Sequence, residues 1–104
     1  MTPARRVTEG LDATSTETAT AAFNVRHRSL YSAQLGGTVA AAVVALEWRL
    51  RGGAWIAALA ADGSPITRTG AGLIRAVDVA GVDDVRLVVS EAGTGELDVI
   101  QEAW

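Results

Sequence analysis

The segment "LEWRLRGGAWIAALAADG", Leu46 to Gly63, constrains the fold most tightly, because its central Gly52-Gly53 pair must either end a helix or turn a hairpin. A helix has support: Val39, Val43, Leu46 and Leu50 recur at helical spacing, and the surrounding alanines are good helix formers. A strand has support as well, since Val44, Leu46, Trp48 and Leu50 alternate with Ala45, Glu47, Arg49 and Arg51, the period of a strand with one wet face. Pairing separates the two. A two-residue Gly-Gly turn with positive φ sets Arg51 opposite Ala54, Leu50 opposite Trp55, Trp48 opposite Ala57 and Leu46 opposite Leu59. Leu46, Trp48, Leu50, Trp55 and Leu59 then share one face and form the expected core, while Glu47, Arg49 and Arg51 face outward. A slip of one residue would move Trp55 onto the charged face. A helix ending at Gly-Gly leaves the alternating charges without a reason, so the segment is read as a β-hairpin.

Short apolar runs divided by Gly, Asp and Ser continue through the chain from Phe23 onward. Strands are expected at 22–27, 29–34, 39–51, 54–61, 73–79, 84–91 and 96–102, with turns at Gly36-Gly37, Asp62-Gly63-Ser64-Pro65, Gly70-Ala71-Gly72, Gly81 and Gly93-Thr94-Gly95. Turn signals at this spacing mark a sandwich or barrel. The expected fold is all-β, an antiparallel β-sandwich (jelly-roll or Ig-like) of about seven to eight strands over residues 23–104, with an extended N-terminal arm over residues 1–22. The arm holds most of the threonines and few large apolar residues, so it favours extended backbone and supplies little core. It is expected to be flexible or to lie on a partner. At the other terminus, a loop at Ala92-Gly93-Thr94 would set Val89 opposite Leu97 and Leu87 opposite Val99, with all four on one face.

Composition removes several classes of function. The chain has no Cys and one His, His27, so neither a disulfide framework nor a thiolate or histidine-rich metal site is expected. Its net charge is -3, whereas nucleic-acid binding needs a clustered excess of positive charge, and Arg5-Arg6 is too short a cluster. The longest uncharged apolar stretch, Gly36 to Leu46, ends at Glu47, far short of the ~20 residues of a membrane span. No apolar segment follows Arg5-Arg6, so no secretory signal is expected, and the chain reads as a soluble protein without a membrane partner.

No constellation of side chains announces a reaction. Asp83-Asp84 is the only adjacent carboxylate pair, but neighbours on a strand point to opposite faces and cannot act jointly as acid and base. It reads as a solvated loop before a strand. His27, between Arg26 and Arg28, reads as a surface strand residue, and the short glycine motifs read as turns rather than phosphate cradles. Trp104 has little chain to cover it and is expected to pack either on a neighbouring subunit or on its own sandwich edge. The many alanines make strand faces thin and flat, which suits close sheet packing or a subunit contact. No catalytic, cofactor-binding or metal-binding residue is assigned.

The run "GGTVAAAVVALEWRLRGGAWIAALAADGSPITRTGAGLIRAVDVAGVDDVRLVV" resembles small β-sandwich virion proteins of tailed bacteriophages and phage-like particles. The shared features are a Gly-Thr-Val strand entry, an alternating strand, a Gly-Gly-x-Trp hairpin, an Asp-Gly turn, a Gly-Leu-Ile strand, a late Val-Arg-Leu strand and a Gly-rich last hairpin. The resemblance spans roughly residues 23–100 and carries no catalytic motif. It implies a non-enzymatic virion structural protein, specifically a capsid decoration protein on the outside of the head, made in the host cytoplasm and forming a homotrimer. Its partners would be the major capsid protein or other virion proteins, with Arg5, Arg6 and Val7 of the arm reaching across capsid subunits. No cofactor is implied. Alternatives are a head-fibre, spike or tail module, or a carbohydrate- or receptor-binding sandwich, which needs Trp55 or Trp104 on a solvent face.

Overall fold

The computed structural model describes residues 4–104, and they form an all-β sandwich. Nine strands follow in order: β1 (Arg5–Asp12), β2 (Phe23–Asn24), β3 (Leu30–Gly37), β4 (Val43–Arg49), β5 (Ile56–Ala57), β6 (Thr67–Thr69), β7 (Gly72–Asp78), β8 (Asp84–Glu91) and β9 (Glu96–Ala103). One antiparallel sheet has the order β1-β9-β3-β7, and the other has β2-β8-β4-β5, with β6 also paired to β4. The core follows from period-two alternation. Tyr31, Ala33 and Leu35 of β3 and Leu97 and Val99 of β9 face Val44 and Leu46 of β4 and Val85, Leu87 and Val89 of β8, all 2% exposed or less. Full burial of each large aliphatic side chain stabilises the fold by about 1.5–3 kcal/mol relative to exposure.

The expected N-terminal arm is instead part of the sandwich; its first three residues lie outside the described ones. β1 pairs with β9 along its whole length, from Arg5 opposite Ala103 to Asp12 opposite Glu96. The chain then crosses to the other sheet, where Ala19 bridges Val88 and Thr20 exchanges hydrogen bonds with Leu87. Composition misleads here because an edge strand needs few large apolar residues. Leu11 is buried, while the inward positions Glu9 and Arg5 close the side of the sandwich: Glu9 accepts from the Ala21 amide at 3.0 Å, and the Arg5 guanidinium lies 5.4 Å from the Phe23 ring centroid.

The Gly52-Gly53 hairpin exists, but its register is slipped by one residue: Glu47 lies opposite Ala57 and Trp48 opposite Ile56. The cause is the turn. Gly53 donates to the Leu50 carbonyl at 2.9 Å, closing a four-residue turn in which only Gly52, at φ +82, needs the left-handed region. Of the five expected core residues, Leu46 is buried and Trp48 is half-buried against the core, whereas Leu50 is 62% and Leu59 47% exposed. Trp55 moves to the charged outer face. The partnership with β4 is also brief. Both Ala58 and Ile66 bond to the backbone of Leu46, and the residues between them form a lateral hairpin that bridges Leu59 to Pro65 before returning as β6, a strand the sequence reading missed.

The expected C-terminal hairpin does not form, because β8 and β9 belong to different sheets. Leu87, Val89, Leu97 and Val99 do share the interior, reaching it from opposite sides. Apart from β4-β5-β6, successive strands change sheets, so most connections arch over an end of the sandwich. The 92–95 arch is held by Gly93 donating to Ala13 and by the Thr94–Ala40 bridge. Gly95 packs so closely there that a Cβ would meet the Thr38 carbonyl, and its φ of +84 disfavours a side chain independently.

Candidate partner-binding surfaces

Cross-strand pairing on the outer face of the β4–β8 sheet sets Arg49 opposite Asp84 and Glu47 opposite Arg86. Both pairs are ionic, with Nε to carboxylate distances of 3.1 Å and 2.8 Å. The slipped register lays Trp55 beside them, with the Arg49 and Arg86 guanidiniums 4.2 Å and 4.6 Å from its ring centroid. The ladder satisfies its own charges and covers the indole. Asp84, read from sequence as a solvated loop residue, is 5% exposed as the first residue of β8. Its neighbour Asp83 accepts from the Arg51 amide at 2.8 Å and lies 3.8 Å from the Arg26 Nε.

Four residues expected to meet a partner, Arg5, Arg6, Val7 and Trp104, come together where β1 begins and β9 ends, since Arg5 lies opposite Ala103 and Arg6 opposite Glu102. They are not equivalent. All three β1 residues are exposed, Val7 at 37%, but Arg5 also lies over the Phe23 ring. The Trp104 main chain continues the β9–β3 pairing through hydrogen bonds with Ser29 and Leu30, while its side chain stays 44% exposed.

The two long sides of the sandwich differ. β1 and residues 19–24 close one, but the other holds a groove of about 790 Å³ between β7 and the lateral hairpin, lined by Trp48, Leu59, Ile66, Leu73, Val77 and Val82. The sequence reading missed it, because exposed Leu59 and Leu73 are indistinguishable by period from core residues. Inside the core, the Tyr31 hydroxyl donates to Gln101 Oε1 at 2.7 Å, and burial pushes the phenol well above its ordinary pKa. On the surface, hydrogen bonds from Thr14 hold the Asp12 carboxyl below the usual carboxylate range, and Ser64 does the same for Asp62. His27 is on the surface as expected, but in a turn at φ +66 rather than in a strand. Among the described residues, no three His, Cys, Asp or Glu side chains are grouped to hold a metal ion.

No family model matches the chain, and no curated protein matches it. In fold it is similar to the crystal structure of the SPBc2 prophage-derived protein YomS, with a TM-score of 0.71 and 16% identity over 99% of this chain and 96% of that one. A chain from Bacillus endospore appendages, described as a novel family of disulfide-linked pili, gives a TM-score of only 0.39 at 18% identity, covering 96% of this chain and 87% of the other. The first likeness shows a sandwich shared along essentially the full length of both proteins.

Proposed function

We propose that this chain is a non-enzymatic structural protein of a phage or phage-like particle, and specifically a decoration protein that binds the outside of the head and stabilises it. The observation that carries this reading is the full-length fold likeness to a prophage-derived protein. The virion-protein resemblance of the sequence points the same way. In this reading the partner is the major capsid protein and the protein acts as a homo-oligomer, a trimer in the simplest case. β1 is bound into the sheet, so it does not reach across capsid subunits as a free arm. The carbohydrate-binding alternative is left with a single stacking candidate, the 44% exposed Trp104, because the Trp55 ring lies against two of the protein's own arginines.

The test is to mix purified protein with undecorated heads and measure co-sedimentation and head melting temperature. Saturable, stoichiometric binding with a raised melting temperature supports decoration. Leu73→Asp, at a 51% exposed position on the groove, tests that face without disturbing the core. Saturable binding to sugars with no association to heads overturns the reading.

A further inference from the structure

We propose that copies of this chain associate head to tail, the arginine-rich end of one sandwich docking on the acidic end of the next. The strand register sorts the charged residues by end. At one end lie the start of β1, the β2–β3 turn, the β4–β5 turn, the β7–β8 loop and the end of β9, as the pairs Arg5–Ala103, Leu30–Asp78 and Arg49–Asp84 show. This end carries Arg5, Arg6, Arg26, Arg28, Arg49 and Arg51, six of the nine arginines, against the four carboxylates Asp78, Asp83, Asp84 and Glu102, a net of +2. The other end is fixed by the pairs Asp12–Glu96, Val43–Glu91 and Val43–Thr69 and by the Ala40–Thr94 bridge. It carries Asp12, Glu17, Glu91, Glu96 and Asp98 against Arg68 alone, a net of -4. A protein of net charge -3 is therefore strongly dipolar along its strand direction, in a body measuring 38 × 26 × 26 Å.

The basic end also has the composition of an interface. Leu50 is 62% and Trp104 44% exposed, and they stand among exposed Arg6 and Arg51. Trp and Arg dominate binding energy in protein contacts, where a desolvated aromatic anchors and cations set the orientation. The acidic end offers carboxylates around exposed small residues, Gly37, Ala40, Ala41 and Ala92, over which such side chains can lie. Complementary charge on the two ends of one molecule identifies the occupant as a second copy. Because the two surfaces differ, the contact is heterologous, and it closes as a ring or continues as a filament instead of stopping at a two-fold dimer. This inference stands on the charge distribution and does not depend on the particle reading.

The experiment is sedimentation velocity of the full chain at rising concentration in about 20 mM and about 500 mM salt, where screening separates the outcomes. Mass is expected to grow past a dimer at low salt, with the association weakened at least about tenfold at high salt. Arg6→Glu/Arg51→Glu reverses the basic end from +2 to -2, and Glu91→Arg/Glu96→Arg neutralises the acidic end from -4 to 0. Each double variant alone is expected to be monomeric with an unchanged circular dichroism spectrum, and an equimolar mixture of the two is expected to form a one-to-one pair through the basic end and the acidic end left intact. A wild-type monomer at every salt concentration, a wild-type mass that stops at a dimer, or a mixture of variants that stays monomeric overturns the proposal. So does a wild-type monomer that binds only a separate acidic protein.

Discussion

The hydroxyl of Tyr31 donates a 2.7 Å hydrogen bond to Oε1 of Gln101 deep in the core, while the amide nitrogen of the same Gln101 has no partner among the described residues. Both side chains are 0% exposed. This half-satisfied pair sits between β3 and β9, where an apolar pair would carry no desolvation cost. Removing one partner leaves the other stranded, so Tyr31→Phe is expected to lower unfolding free energy by about 1–3 kcal/mol. Tyr31→Phe/Gln101→Leu removes both polar groups and is expected to regain most of that loss. Urea denaturation of the three variants decides it, and a double variant no more stable than the single one refutes the account.

The same tyrosine sets how the fold responds to alkali. The chain has one Tyr, no Cys and no Lys, so Tyr31 is the one side chain whose ordinary pKa lies between about pH 9 and pH 12. Burial raises its pKa in the folded state, while the unfolded chain releases the proton near pH 10. The folded state therefore holds the extra proton, and stability is full below about pH 10 and falls above it by up to about 1.4 kcal/mol per pH unit. Tyrosinate absorbance is expected to appear only with unfolding, and Tyr31→Phe is expected to lose this alkaline dependence. A tyrosinate signal near pH 10 in folded protein contradicts the prediction.

Legibility followed the physics of each element. Alternation in β4, β8 and β9 identified interior residues correctly, since Leu46, Leu87, Val89, Leu97 and Val99 are all buried. Alternation says which way a side chain points and nothing about which sheet its strand joins, so β8 and β9 were paired when they face one another. A single turn decided the Gly52-Gly53 register. With the left-handed residue at Gly52 and closure from Gly53 to Leu50, the chain adopts the one-residue slip that puts Trp55 on the charged face, against the expected register. Its penalty is offset because Arg49 and Arg86 give Trp55 a place on the outer face. The dipolar arrangement of charge was not legible at all, because it emerges only when distant segments are brought to the same end.

The outer ladder predicts an order of sensitivities. Arg49→Ala leaves Asp84, 5% exposed, without its charged donor and is expected to cost about 1.5–3 kcal/mol. Trp55→Ala forfeits two cation–π contacts at a partly exposed site and is expected to cost about 1 kcal/mol. Thermal melts of both variants check the ranking. Trp55→Ala as the more damaging change would place Trp55 in the core, as the unslipped register requires.

Whether the N-terminus is an arm or a strand has a direct consequence for truncation. β1 covers the β9 edge over its full length, buries Leu11 at 6% exposure, and closes one side through Glu9–Ala21 and Arg5–Phe23. Deleting residues 1–12 uncovers the β9 backbone and the interior beneath it, and the truncated chain is expected to lose its cooperative thermal transition. Leu11→Ala probes the same packing while keeping the strand and is expected to cost about 2–5 kcal/mol, as for other buried leucines. A free arm would give the opposite result, with an unchanged melting temperature in both variants. Circular dichroism melts of the two proteins separate these outcomes without any capsid present.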